Sequence, residues 1–292
     1  MKRGAILISF ILLYSLPAQA QKNEVFASNY PLAYFAQEII KEQGVVHFPM
    51  IKGDPAFWQP SVEEILKIQQ ANLIVLNGAY YEKWLSWATL PQRKMVDTSR
   101  SYKDQYVTIQ GTVKHTHGPK GDHSHEGLAF TTWIDFSQAA LQAEAIKDAL
   151  ISKEFGEEEV VIGNFEALKS DLINLDKHIM RMTEGYSEMP ILASHPVYDY
   201  FARRYNLNIK SVLWEPDSYP DESMWRQLKL LLKDHRAQWM IWEDEPLEES
   251  VVKLREMGIE SIVFNPCGNT PDDGDFMSVM RENVENLKDI FK

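Results

Sequence analysis

The stretch EEEVVIGNFEALKSDLINLDKHIMRMTE, residues 157–184, decides the architecture. Val161, Phe165, Leu168, Leu172, Leu175, Ile179 and Met182 recur in alternating steps of four and three, which puts all seven on one face of an α-helix. Asn164, Glu166, Lys169, Asp171, Asn174 and Lys177 fill the other faces. No proline interrupts the run, and Gly185 stands where a C-terminal cap is expected. At 1.5 Å per residue the helix is roughly 40 Å long, more than the width of a small domain. The segments on either side both alternate short strands with helices, so the helix is expected to join two α/β halves as a beam.

Working outward, residues 24–28, 45–50, 73–76 and 95–97 read as strands before the beam, with helices over 30–43, from the Ser61 cap onward, and over 81–87. Ser61 with Glu64 forms a capping box. After the beam, 191–194, 211–214, 239–242 and 261–264 read as strands, alternating with helices over 197–205, 222–232, 247–257 and 276–291. Strands separated by helices mean parallel sheets. The expected fold is α/β, two lobes each with a roughly four-stranded parallel sheet flanked by helices. The division is an N-terminal lobe over 21–135, connecting helices over 136–186 and a C-terminal lobe over 187–292. Ligands of such sheets bind outside the carboxyl ends of the strands.

The N-terminus is excluded from the fold. Lys2 and Arg3 precede an apolar run, and Ala18-Gln19-Ala20 is a small-x-small cleavage site, so residues 1–20 read as a secretory signal and the protein as periplasmic. No cysteine follows the run, so no lipid anchor is expected. The formal charge is −12, and losing Lys2 and Arg3 takes it to −14, 28 basic against 42 acidic residues. That balance argues against nucleic acid. Cys267 is the single cysteine, so no internal disulfide can form.

Chemistry concentrates in two places. His195 and Glu243 each close a strand of the C-terminal half, on the edge facing the cleft, and imidazole with carboxylate suits a divalent transition metal, zinc foremost. The alternative is a helix-start histidine and an unrelated surface carboxylate. His115, His117, His123 and His125 fall within a polar loop over 110–127, and short His-rich tracts bind metal. The alternative there is a solvated loop without fixed geometry. His47 reads as mid-strand, His178 as lying on the beam and His235 as belonging to a charged surface segment. No Gly-x-Ser-x-Gly stretch or phosphate-binding glycine loop occurs, and Cys267 has no obvious base, so an enzyme is not expected.

Several stretches together resemble one family. Gly53-Asp54-Pro55 with Gln59-Pro60-Ser61, Asn72-Leu73-Ile74-Val75-Leu76-Asn77-Gly78, Trp133-Ile134-Asp135, Ser194-His195 with Tyr200-Phe201-Ala202-Arg203-Arg204-Tyr205, and Ile241-Trp242-Glu243 are similar to segments of the zinc and manganese ABC-transporter substrate-binding proteins. The resemblance runs through the whole mature chain. It implies a monomeric periplasmic binding protein that holds Zn2+, Mn2+ or another divalent ion between its lobes and delivers it to a membrane permease. His195 would be the third histidine ligand and Glu243 the carboxylate, with Asp244 and Glu245 as alternatives to it. Two expected histidine positions depart, carrying Ala56 and Thr131. Either the loop histidines complete the cleft, or the loop itself buffers zinc, or the cleft is retuned for an organic ligand or metal chelate, with Ala56, Phe57, Trp58 and Thr131 as an apolar wall.

Overall fold

The computed structural model describes residues 23–109, 114–116, 122–124 and 127–292. The expected signal, residues 1–20, lies outside the described residues. In the N-terminal half, strands β1 (Asn23–Ala27), β2 (Gly44–His47), β3 (Leu73–Leu76) and β4 (Met95–Asp97) form one sheet in the order β2-β1-β3-β4. Every pair in it is parallel. β3, Leu-Ile-Val-Leu, is buried along its whole length, as a strand covered on both faces must be. Helix α1 (Tyr30–Ile40) follows β1, with Asn29 accepting from the Leu32 N–H and Pro31 in the first turn. Helix α2 (Val62–Gln70) carries the expected capping box of Ser61 and Glu64. Residues 81–87 give only a short helical turn, Lys83–Ser86, in place of the expected helix.

Short strands β5 (Thr108–Ile109) and β8 (Gly127–Leu128) pair antiparallel at the neck of the His-rich segment. Within it, β6 (Lys114–Thr116) and β7 (Asp122–Ser124) pair antiparallel with His115 opposite His123. Helix α3 (Phe136–Ser152), capped by Asp135, leads to the beam.

The beam is α4 (Glu158–Met182), 25 residues and about 38 Å long. Val161, Phe165, Leu168, Leu172 and Ile179 are buried, while Leu175 and Met182 pack partly buried against the same core. Full burial of such a side chain contributes about 1.5–3 kcal/mol. The stripe also buries Asp176, which receives Arg204 Nε at 2.8 Å, Arg204 Nη2 at 2.5 Å and the Tyr205 hydroxyl at 3.1 Å. The helix ends at Met182 with Thr183 as its C-cap, two residues before the expected cap, and Gly185 (φ +89°) lies just beyond.

The C-terminal sheet repeats the scheme, with β9 (Pro190–Ala193), β10 (Asn208–Ser211), β11 (Trp239–Trp242) and β12 (Glu260–Val263) in the order β10-β9-β11-β12, all parallel. Helices α5 (Asp199–Arg204), α6 (Glu222–Asp234), α7 (Glu248–Glu256) and α8 (Phe276–Leu287) complete it. One apolar core runs through both halves, including Leu32, Phe35 and Val75 on one side, Ala193, Phe264 and Phe276 on the other, and α4 along both. Phe35 meets Phe276 edge to face at 5.2 Å. Polar ties cross as well: Tyr30 N–H to Gly268 C=O at 3.1 Å, Trp133 Nε1 to Pro266 C=O at 2.7 Å and Tyr200 Oη to Ala129 C=O at 3.1 Å. Among the described residues no helix is long and apolar enough to cross a membrane.

Candidate metal centre

β9 delivers the site. Ala193 pairs with Ile241, so two residues further on His195 and Glu243 leave the sheet side by side. Beyond the ladder the backbone stays in register. Ser194 N–H bonds Ile241 C=O, and Trp214 N–H bonds Ser194 C=O, both at 2.8 Å. The second of these bonds carries the next residue, Glu215, to the same place. One ligand atom each from His195, Glu215 and Glu243 lies within 4.8 Å of the others. His195, Glu215 and Glu243 are thus spaced so that they could hold one zinc ion, whose bonds to such ligands are about 2.0–2.2 Å.

His195 is buried, 3% exposed. Its Nδ1 lies 3.2 Å from Trp214 C=O and 3.1 Å from Glu243 Oε1, and its Nε2 lies 3.4 Å from Glu215 Oε1. A carbonyl only accepts, so the Trp214 bond needs the hydrogen on Nδ1 and leaves the Nε2 lone pair turned toward Glu215. That arrangement of a backbone carbonyl behind an imidazole orients metal-ligating histidines. The Glu243 side chain is 25% exposed and that of Glu215 32%, so solvent reaches the cluster.

Crowding of carboxylates sets the electrostatics. Burial first, then the charges of Asp54, Glu215 and Asp244, push the Glu243 carboxyl up to about 8. Burial, Asp217 and Asp54 push Glu215 up to about 7. Near neutrality these two carboxyls are thus partly protonated. Asp54 is raised too, chiefly by the protein crowding its carboxyl although the residue's surface is open, against the pull of the Ala56 N–H and Lys83.

The N-terminal wall differs from a histidine-lined one. Ala56 is buried and offers no donor. Thr131 is buried and donates its hydroxyl to Val197 C=O across the two halves. The Lys83 ammonium stands 4.1 Å above the Phe57 ring and 5.9 Å from that of Phe130. Trp58 is not part of this wall: it turns into the N-terminal core, stacking on Phe26 at 6.5 Å and edge-on to Trp84 at 6.0 Å.

Of the expected site residues, His195 and Glu243 come together. Asp244 and Glu245 are exposed, with Glu245 N–H bonded to the Asp244 carboxylate. His115 and His123 are cross-strand partners in the β6–β7 hairpin, and His117 and His125 lie outside the described residues. His235, expected on the surface, is buried at the end of α6, where Nε2 meets Ile191 C=O at 2.9 Å and burial lowers its pKa. The Cys267 thiol is buried and pushed up to about 12, which leaves it protonated and unreactive. Glu215 is the site residue that sequence reasoning missed. Its signal was present, a carboxylate directly after the apolar run Val212-Leu213-Trp214 at the carboxyl end of a parallel strand.

Comparison with known proteins shows the family. A family model described as zinc-uptake complex component A, periplasmic (ZnuA), matches residues 25–290. The zinc-binding lipoprotein AdcA of Streptococcus pneumoniae (strain R6) is 24% identical over 305 residues, covering 98% of this chain and 60% of AdcA. The high-affinity zinc uptake system protein ZnuA of Bacillus subtilis is 23% identical over 292 residues, covering 94% of this chain and 89% of that protein. Thus the chain spans 60% of the length of pneumococcal AdcA and most of the bacillary protein. Among solved structures, the metal-dependent lipoprotein YcdH of B. subtilis superposes with a TM-score of 0.78 at 22% identity, over 93% of this chain and all of that one. Zn(II)-bound AdcA of S. pneumoniae gives 0.77 at 20%, over 93% and 58%. Since the family model spans nearly the whole of it, the chain belongs to the ZnuA family, the periplasmic component A of zinc-uptake complexes.

Proposed function

We propose that the protein captures zinc, or a similar divalent ion, at the lobe interface and hands it to the membrane permease of an ABC importer. The observation that carries this is the His195–Glu215–Glu243 cluster at the carboxyl edge of the C-terminal sheet. His195 Nε2 and the carboxylates of Glu215 and Glu243 serve as the protein ligands, and Trp214 C=O holds the imidazole in place. Residues 1–20 act as a cleaved export signal, and the mature chain, divided at 135 and 186, works as a periplasmic monomer without catalysis. The histidines at 115, 117, 123 and 125 collect ions for it. The test is a competitive zinc titration of mature protein beside H195A and a version lacking residues 114–126. One tight zinc, weakened at least about tenfold by H195A, supports the cleft site. Unchanged affinity in H195A sinks it, and loss of all binding on loop deletion alone makes the protein a zinc buffer.

A second reading rests on Lys83. An ammonium over aromatic faces beside Asp54 suits the carboxylate of a small chelator, so that the ion enters as a chelate and the chelator fills the coordination that Ala56 and Thr131 leave open. Retention of an aminocarboxylate with the ion after gel filtration, lost in K83M, distinguishes it.

A further inference from the structure

Each carboxylate of the metal centre directly follows a tryptophan. Trp214 precedes Glu215, and Trp242 precedes Glu243. Both rings belong, with that of Trp225 on α6, to one buried apolar cluster on the C-terminal sheet. Trp225 stands at the junction. Its ring meets Trp214 edge-on at 4.6 Å, and Trp214 in turn leans on Trp242 at 6.1 Å. The other aromatic neighbour of Trp225 is Tyr219, at 5.8 Å. Trp214 and Tyr219 bracket the segment Glu215-Pro216-Asp217-Ser218, so one indole touches both ends of the segment that carries Glu215.

The rest of the segment is tied down by backbone alone. Trp214 N–H bonds Ser194 C=O at 2.8 Å, beside β9. Beyond that point Ser218 N–H bonds Glu215 C=O at 3.3 Å, within the segment, and Leu247 N–H bonds Pro216 C=O at 2.9 Å. Asp217 and Ser218 are exposed. A turn this open aims a carboxylate at His195 Nε2, 3.4 Å away, through the packing of its ends. The Trp225 indole N–H is buried and bonds to no described residue, so the ring acts by shape, and its exchange for phenylalanine removes no hydrogen bond.

We propose that Trp225 is a positioning residue for the metal centre, clamping residues 215–218 at both ends and thereby holding the Glu215 carboxylate against His195. The inference rests on the metal-capture function proposed above. Trp225 itself is 8% exposed, inside the cluster, and acts only through its neighbours. Removing the support behind a metal ligand typically costs about 10–100-fold in affinity.

The experiment uses mature protein (residues 21–292), titrated competitively with Zn2+, alongside W225L, W225F, E215Q, the double variant W225L/E215Q, and H195A. W225L is expected to weaken zinc about tenfold, and W225F, which keeps a ring at the junction, to restore most of the affinity. In the E215Q background no carboxylate is left to aim, so W225L should change zinc affinity little further. Bound Co2+ supplies the second readout, because its visible bands report ligand geometry. They should shift in W225L and return in W225F. Y219L opens the clamp on its exposed side and repeats the cycle with E215Q if W225L does not fold, with a smaller loss expected. A ring that only stabilises the lobe lowers the melting temperature of W225L while affinity and Co2+ bands keep their parent values, and that result overturns the proposal. The same loss on top of E215Q as in the parent overturns it too, as does parent-like affinity in E215Q or in Y219L. Parent-like zinc affinity in H195A instead overturns the metal-capture reading, so the two failures appear in different variants.

Discussion

Removing the Asp176 carboxylate should cost about 3 kcal/mol. Asp176 sits in the buried stripe of α4, is 3% exposed, and accepts three hydrogen bonds, two from Arg204 and one from the Tyr205 hydroxyl. Breaking a buried ion pair by deleting one partner costs about 3–5 kcal/mol when the other charge is stranded. Arg204 is not wholly stranded, because its side chain is 30% exposed and Asp135 lies 3.8 Å away, so the ion-pair loss sits below that range. Tyr205, 4% exposed, keeps the Phe136 N–H on its oxygen but loses the acceptor of its own hydroxyl hydrogen, which adds about 1 kcal/mol. Urea unfolding of D176A measures the sum. With a slope of about 3 kcal/mol/M, the midpoint should fall by about 1 M at unchanged slope. D176N keeps an acceptor for Tyr205 and should lose roughly half as much. A double-mutant cycle with R204A should return a coupling of about 1–2 kcal/mol. A D176A loss below about 1 kcal/mol, or a coupling near zero, would refute the claim that this pair ties the beam to the C-terminal half.

Two further outcomes test the N-terminal half. Glu82 is buried, accepts from Ser28 Oγ at 2.5 Å and from the Asn77 N–H at 2.6 Å, and burial pushes it from 4.5 up to about 7. A carboxyl raised on folding stabilises the native state below its unfolded value, and that contribution is lost as pH rises to the folded value. Metal-free parent protein should therefore lose stability relative to E82Q between about pH 5 and pH 7, by up to about 1.4 kcal/mol per pH unit. Parallel stability curves for the two proteins would exclude the shift. Gly78 turns the chain after β3 with φ +76°, and a Cβ there would meet Asp97 Oδ1 at 2.1 Å and Ser99 Oγ at 2.2 Å. G78A should cost more than the about 1 kcal/mol of a left-handed backbone alone, seen as a lower melting temperature, and an unchanged melt would show that the turn relaxes.

Much of the fold was legible because burial leaves a period in the sequence. The seven-residue stripe of α4 and the wholly apolar β3 are direct records of what each element faces. Asp176 escaped because a charge in an apolar stripe makes sense only beside Arg204, and nothing local links the two. The strand expected at 211–214 formed three residues earlier, as β10, since Val212 to Trp214 are apolar for another reason. They continue along β9 beyond the ladder, with Val212 N–H on Ala193 C=O and Trp214 N–H on Ser194 C=O. That extension is what sets Glu215 beside His195, so the shifted strand and the missed member of the cluster have one cause. His235 was misjudged by its charged neighbours, Lys233, Asp234 and Arg236, although its own ring turns inward to Ile191.

The departures at 56 and 131 acquire a physical sense from the contacts between the halves. At position 131 the side chain spends its hydrogen-bonding capacity on Val197 C=O, a contact from one half to the other. Trp133 to Pro266, Tyr200 to Ala129, Tyr30 to Gly268 and Asn269 to Ile51 make the same crossing, over a core continuous through both sheets. The two halves are thus held together by the chain itself, and an ion is not needed to draw them into contact. The His195, Glu215 and Glu243 side chains already converge on one sheet edge, with the His195 ring fixed by Trp214, so an ion held there would meet little ordering cost. A site of this kind loads and empties through local motion of its rim. The segment after β2 is anchored at Ile51 and Gly53 by Asn269 and at Ala56 by the core, and its exposed residues 52–54 between those anchors are where local motion would disturb the least structure.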